Sequence, residues 1–175
     1  NVTYDLLYCE SDGTFPNHHP DPAVASNLVD LQKRVVELGY DLGIAVDADG
    51  DRVRVVDNKG NVINSDIFMV VMYRYLNKGL KTRKALFDVK CSKALLDALD
   101  ELEIEKVMYR TGNSYMFRKS KELDIDYSAE YSGHMWFGDR FEVFDDGIYA
   151  GLRMVEVLSN SDESLNELCS NVNTY

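Results

Sequence analysis

From residue 84 onward the chain alternates short apolar runs with longer amphipathic stretches, and this rhythm restricts the accessible folds more than any other feature. Residues 85–89, 106–109 and 125–129 have strand length and are enriched in apolar, β-branched or aromatic side chains, whereas 92–102 and 114–123 carry the mixed pattern of surface helices. A further short run at 135–137, a strand at 141–144 and a helix at 147–158 continue the series. Strands separated by helices of about 10 to 15 residues specify an α/β architecture, here expected as mixed β-sheets sandwiched by helices.

The preceding part has a different texture. Residues 2–8 carry β-branched and aromatic side chains and predict a strand, ended by Ser11-Asp12-Gly13. Pro16, Pro20 and Pro22 then exclude regular structure, after which Val24, Leu28, Leu31, Val35 and Leu38 recur at helical spacing up to Gly39, a residue suited to closing a helix. Residues 42–46 read as a buried strand, and 53–56 with 62–63 as a hairpin. A helix apolar on nearly every side, hence expected to be buried, follows from Ser65, which can cap its free N–H groups, to about Asn77. The change of texture puts a domain boundary between 61 and 65, giving units 1–61 and 62–175. A start inside a strand suggests a chain taken from something longer.

Charge narrows the partners. Thirty acidic residues against nineteen basic ones give a net charge of −11, with Lys and Arg scattered, which excludes a nucleic-acid partner. A phosphate bound by such a chain must rely on local cations, a metal or backbone N–H groups. Cys9, Cys91 and Cys169 are widely spaced, lack metal-ligand spacing and predict free thiols in a reducing cytoplasm. Every apolar run is too short for a membrane helix, so no membrane partner is expected.

Two loops carry the chemistry. In Asp47-Ala48-Asp49-Gly50-Asp51-Arg52 three carboxylates occupy alternate positions directly after a strand, so their oxygens can share one face and converge on a hard cation. Gly50 permits the tight backbone path, and Arg52 is near enough to hold a phosphate beside the cation. An EF-hand is excluded, because its sixth-place Gly and twelfth-place Glu are absent counting from Asp47. The second loop, Glu130-Tyr131-Ser132-Gly133-His134, joins a carboxylate, a hydroxyl and an imidazole around a glycine, a set that suits paired sugar hydroxyls. Lys90, at a strand end, offers a flexible cation.

In order and content these loops resemble those of the α-D-phosphohexomutases of phosphomannomutase/phosphoglucomutase type, whose metal loop reads D-G-D-G-D-R and whose sugar loop reads G-E-x-S-G-H. Ala48 and Ala129 stand where the family has glycine. Asn113, in Arg110-Thr111-Gly112-Asn113-Ser114, stands where the family has the histidine of K-T-G-H-S, and an amide cannot carry a proton. Asp12-Gly13-Thr14-Phe15-Pro16-Asn17-His18-His19-Pro20, Phe87-Asp88-Val89-Lys90-Cys91 and Phe144-Asp145-Asp146-Gly147-Ile148-Tyr149 match as well, with His18-His19 read as structural.

The resemblance implies a chain covering the end of the family's second domain and the third. It implies Mg²⁺ on Asp47, Asp49 and Asp51, with Glu130, Ser132, Lys90 and Asn113 on a hexose phosphate. His134, Lys90 and Arg52 become the candidates for proton and phosphate handling. The family's phosphoserine loop, T-A-S-H-N-P, is absent, so the phosphoryl-carrying serine and the remaining mutase domains are expected outside this chain, which alone should be inactive. Two other readings stay open at this point, a non-catalytic sugar-phosphate or metal-binding module and a metal-dependent phosphatase with Asp47 as nucleophile.

Overall fold

A computed structural model describes residues 2–140 and 142–172. The first segment of regular structure is a 3₁₀ turn, Ala25–Leu28, running into helix α1, Val29–Leu38. Gly39 ends α1 in the left-handed conformation, φ 67°, with its N–H donated to the Val35 carbonyl. Strands β1, Leu42–Val46, β2, Val53–Asp57, and β3, Val62–Ile63, form an antiparallel sheet with β2 in the middle. Val46 pairs with Val53 across the metal loop, so β1 and β2 hold the two ends of that loop together.

Helix α2, Ser65–Leu76, is buried along most of its length, as its all-round apolarity predicts. The second sheet consists of β4, Lys84–Asp88, β5, Glu105–Tyr109, β6, Tyr127–Ala129, and β7, Met135–Phe137, in the order β5-β4-β6-β7. β4 runs parallel to β5 and β6, and β7 is antiparallel to β6. Helices α3, Lys93–Glu101, and α4, Asn113–Glu122, are the crossovers. Helices α5, Gly147–Ser159, and α6, Leu165–Ser170, complete the chain.

The strand period of two divides this sheet between two cores. Ala85, Phe87, Tyr127, Ala129, Met135 and Phe137 face the large core built with α2, α3, α5 and α6, while Leu86 and Trp136 face a smaller one with Met116 of α4. Ser128 shares the smaller side, and its hydroxyl meets that of Ser120 at 2.6 Å, which satisfies two buried polar groups mutually. Val53 and Val55 of β2 enter the large core, so the first sheet is continuous with it. The fold is therefore a mixed α/β one with two sheets flanked by helices.

Several expectations are corrected. Residues 2–8 form no strand: Val2, Tyr4 and Leu6 are exposed, and no described strand lies beside them to take up their backbone groups. β1 is present but is an edge strand with Ile44 and Val46 exposed, because α1 and α5 leave part of it uncovered. Ser65 does not cap α2. The cap position is Asn64, and the Ser65 hydroxyl accepts a hydrogen bond from Arg54 at 2.9 Å instead. Of the run 141–144, Phe141 lies outside the described residues and 142–144 are not a strand, leaving only a bridge between Asp145 and Trp136. α6, which the sequence pattern does not announce, opens with a capping box between Ser164 and Glu167. The three cysteines are free, and no helix among the described residues is long and apolar enough to cross a membrane.

Candidate metal centre and the loops around it

The loop between β1 and β2 brings one oxygen each of Asp47, Asp49 and Asp51 within 4.8 Å of the others. Three oxygens on one octahedral cation at about 2.1 Å stand up to roughly 4.2 Å apart, so small side-chain rotations bring this set onto a Mg²⁺-sized ion. Burial and the neighbouring Asp145, Asp47 and Asp49 carboxylates push Asp51 up to about 6, against the pull of His134. A cation would relieve that repulsion. Asp47 is buried, which opposes its ionisation, but the N–H and guanidinium of Arg52 outweigh this and hold it below the usual carboxylate range.

Arg52 is consequently not aimed into open space. Its Nε donates to Asp47 Oδ2 at 2.6 Å and Nη1 to Asp21 Oδ1 at 3.0 Å, so two carboxylates fix the guanidinium beside the metal loop. Asp21, between Pro20 and Pro22, carried no visible signal in the sequence. The loop is also held from outside: the Gly147 N–H at the start of α5 donates to the Gly50 carbonyl at 2.8 Å. A Cβ on Gly147 would lie 2.7 Å from the Arg52 carbonyl oxygen, so this approach requires glycine.

The second loop is stitched to the first through the backbone. Val53 N–H donates to the Gly133 carbonyl at 3.1 Å, and Arg52 and His134 form an antiparallel bridge. His134 Nδ1 thereby stands 3.6 Å from Asp51 Oδ2 and 2.6 Å from Asp145 Oδ2. Burial lowers the affinity of His134 for a proton, but the bond to Asp145 and the charges of Asp145, Asp51 and Glu130 raise it above its ordinary value. Burial in turn raises Asp145, with His134 pulling it back. Asn113 Nδ2 donates to the same Asp145 Oδ2, and the Met135 N–H donates to Oδ1 at 3.2 Å. Asp145 is thus the hub joining Asn113, His134 and the metal loop. No sequence motif assigned it a role; its place just before the Asp146 cap of a helix was the available signal.

Glu130 is 2% exposed and occupies the C-terminal end of β6. Its Oε1 accepts from the Gly112 N–H at the start of α4 at 2.5 Å, where helix dipole and free amide favour a negative group. Its Oε2 accepts from the Ser132 hydroxyl at 3.3 Å, so the two candidate sugar contacts bond to each other. Asp88, fully buried at the end of β4, receives the Tyr131 N–H at 3.1 Å and the Thr111 hydroxyl at 3.0 Å, which fixes the sugar loop and the loop after β5 against β4. Lys90 stands apart from these contacts on the exposed turn after β4, lining a cavity with Ser132. Most of these groups lie outside the carboxyl ends of parallel strands, where open α/β sheets gather ligands.

The profile of phosphoglucomutase/phosphomannomutase alpha/beta/alpha domain III matches residues 64–175, and that of domain II matches residues 1–60. The chain belongs to the phosphoglucomutase/phosphomannomutase family. A phosphomannomutase/phosphoglucomutase of Pseudomonas aeruginosa PAO1 is 42% identical over 153 residues, which are 87% of this chain and 33% of that protein. A phosphoglucomutase of Neisseria meningitidis serogroup A is 39% identical over 171 residues, 96% of this chain and 37% of that protein. The crystal structure of a phosphoglucomutase/phosphomannomutase family protein from Burkholderia thailandensis superposes with a TM-score of 0.89 at 35% identity, over 97% of this chain and 37% of that one. The chain thus spans about a third of the length of the curated relatives it matches. As a member of this family it has both matched domains represented, with the Asp47–Arg52 loop in the stretch matched to the second and the Glu130–His134 loop in the stretch matched to the third.

Proposed function

We propose that this chain supplies the metal half and the sugar half of a hexose-phosphate mutase whose phosphoryl-carrying serine lies in another part of a longer protein. The observation that carries the reading is the backbone junction of the two loops, with Gly133 bonded to Val53 and His134 beside Asp51. Asp47, Asp49 and Asp51 would hold Mg²⁺, which when bound neutralises charge on a transferring phosphoryl group. Arg52, already oriented by Asp47 and Asp21, adds a fixed positive charge at the same place. Glu130 and Ser132 would exchange their mutual bond for bonds to two ring hydroxyls, and Lys90 would reach a sugar or phosphate oxygen. With Nδ1–H given to Asp145, His134 keeps Nε2 as the atom that accepts or returns a proton. Asn113 supports His134 indirectly, since both bond Asp145 Oδ2. The domain division at 61–65 and a cytoplasmic location are part of the same reading.

The test is the turnover of glucose 1-phosphate and mannose 1-phosphate by the complete protein containing this chain, with Mg²⁺. Glu130→Ala is expected to lower kcat/KM by about 10- to 100-fold, the worth of hydrogen bonds to a charged group. Unimpaired turnover in that variant would remove the sugar-loop assignment. Separately, Asp49→Asn should weaken Mg²⁺ binding in calorimetry, whether or not substrate is present.

A further inference from the structure

Arg54 is 5% exposed in the central strand of the first sheet, between Val53 and Val55. Among the described residues no carboxylate pairs with it within ion-pair distance. Its hydrogen bonds go to neutral oxygens, Nη1 to the Ser65 hydroxyl at 2.9 Å and Nη2 to the Tyr131 carbonyl at 3.3 Å. The nearest acids are engaged elsewhere. Asp66 accepts from the N–H groups of Ile67 and Ser92, and Asp21 from Arg52 and the Ala23 N–H. Burial consequently lowers the Arg54 pKa more than the distant charges of Tyr131, Asp66 and Asp21 restore it. A desolvated guanidinium kept in this way is costly, and such a cost is ordinarily offset by an anion.

The cavity beside it shows where that anion would sit. It measures about 390 Å³, and it is lined by the polar residues Arg54, Lys90, Asn64, Ser132 and Tyr131 together with apolar residues around Pro22 and Leu28. Two cations and three neutral hydrogen-bonding residues line it, with no Asp or Glu, in a chain whose net charge is −11. A planar guanidinium and a flexible ammonium converging on one cavity match a tetrahedral oxyanion carrying two charges. We propose that Arg54 and Lys90 form an anion site that takes a dianionic phosphoryl group, either free phosphate or the phosphate of a bound sugar phosphate. The site uses none of the aspartates that would hold a cation, and it shares Lys90 and Ser132 with the proposed sugar site. Through those two residues it rests in part on the mutase reading, and phosphate binding measured without metal or turnover separates the two.

The test is thermal denaturation and calorimetric titration of the protein with inorganic phosphate, in chelator-containing buffer at constant ionic strength, so that the metal loop contributes nothing. Phosphate should raise the melting temperature progressively with concentration, and sulfate should compete while added chloride does not. Arg54→Met, which keeps the volume and removes the charge, should weaken phosphate binding by about tenfold or more, and Arg54→Lys by less. Lys90→Gln provides a second, exposed position for the same measurement should the buried substitution perturb folding. Displacement of phosphate by glucose 6-phosphate but not glucose assigns the site to the phosphate of a sugar phosphate, and retention assigns it to the free ion; both support an oxyanion site. Absence of any phosphate effect on the wild-type protein, or an effect undiminished in both Arg54→Met and Lys90→Gln, overturns it.

Discussion

Gly133 adopts φ 112°, and a Cβ there would meet the Val53 carbonyl oxygen at 2.7 Å, so both conformation and space exclude a side chain. Gly133→Ala is expected to cost about 1–3 kcal/mol in denaturant unfolding, because it strains the backbone and separates the loops at their junction. The same residues set a pH dependence. His134 and Asp51 both have folded pKa values above their ordinary ones, His134 mainly through Asp145 and Asp51 through burial and like charges, which take it to about 6. A raised folded pKa favours the native state while the group is protonated. The stabilisation from His134 is therefore complete below its unfolded value of 6.5 and is lost as pH rises through the higher folded one, and that from Asp51 is lost earlier, as pH rises through about 6. Metal-free protein should accordingly unfold at lower denaturant concentration at about pH 8 than at about pH 5.5, with Mg²⁺ restoring part of the loss. In Asp145→Asn the ring resonances of His134 should titrate at lower pH than in the wild type; an unchanged midpoint would show that Asp145 does not set its proton affinity.

At the scale of elements, α5 is a positioning device for the loop carrying Asp47, Asp49 and Asp51. Asp146 caps it by accepting the Tyr149 N–H at 2.8 Å, and the next residue, Gly147, bonds the Gly50 carbonyl. Losing the cap in Asp146→Ala should reduce stability by about 1 kcal/mol while leaving Mg²⁺ affinity nearly unchanged. Gly147→Ala should do the reverse in proportion, weakening Mg²⁺ binding in calorimetry because the new methyl group pushes the helix away from the Arg52 carbonyl. Equal effects of the two variants on metal binding would show that α5 does not set the loop's shape. β6 plays the matching part for the sugar loop: its parallel pairing with β4, Leu86 to Ser128 and Phe87 to Ala129, sets Glu130 beside the Gly112 amide.

At the scale of the molecule, the large core takes side chains from β2, α2, α3, α5, α6 and three strands of the second sheet, so the two sheets share that core. Trp136, the single tryptophan, sits in the smaller core on the opposite face of the second sheet. Its fluorescence and the far-ultraviolet circular dichroism of the whole chain are expected to report one coincident urea transition. Two separated transitions would mean that the first sheet folds independently of the second.

Much of this fold is written in local pattern. Short apolar runs alternating with helical stretches marked β4 to β7, the all-round apolarity marked α2 as buried, and the alternate spacing of Asp47, Asp49 and Asp51 confined three donors to one loop. Each of these records what a single segment must bury or present, which neighbouring residues suffice to encode. Tertiary structure alone decided which segments meet. It left residues 2–8 and the face of β1 bearing Ile44 and Val46 exposed, turned Arg52 inward onto Asp47 and Asp21, gave Ser65 to Arg54, and brought Asp145 between Asn113 and His134. These outcomes depend on backbone groups and charges contributed by distant parts of the chain, and a side chain's role follows from the partner that packing delivers to it.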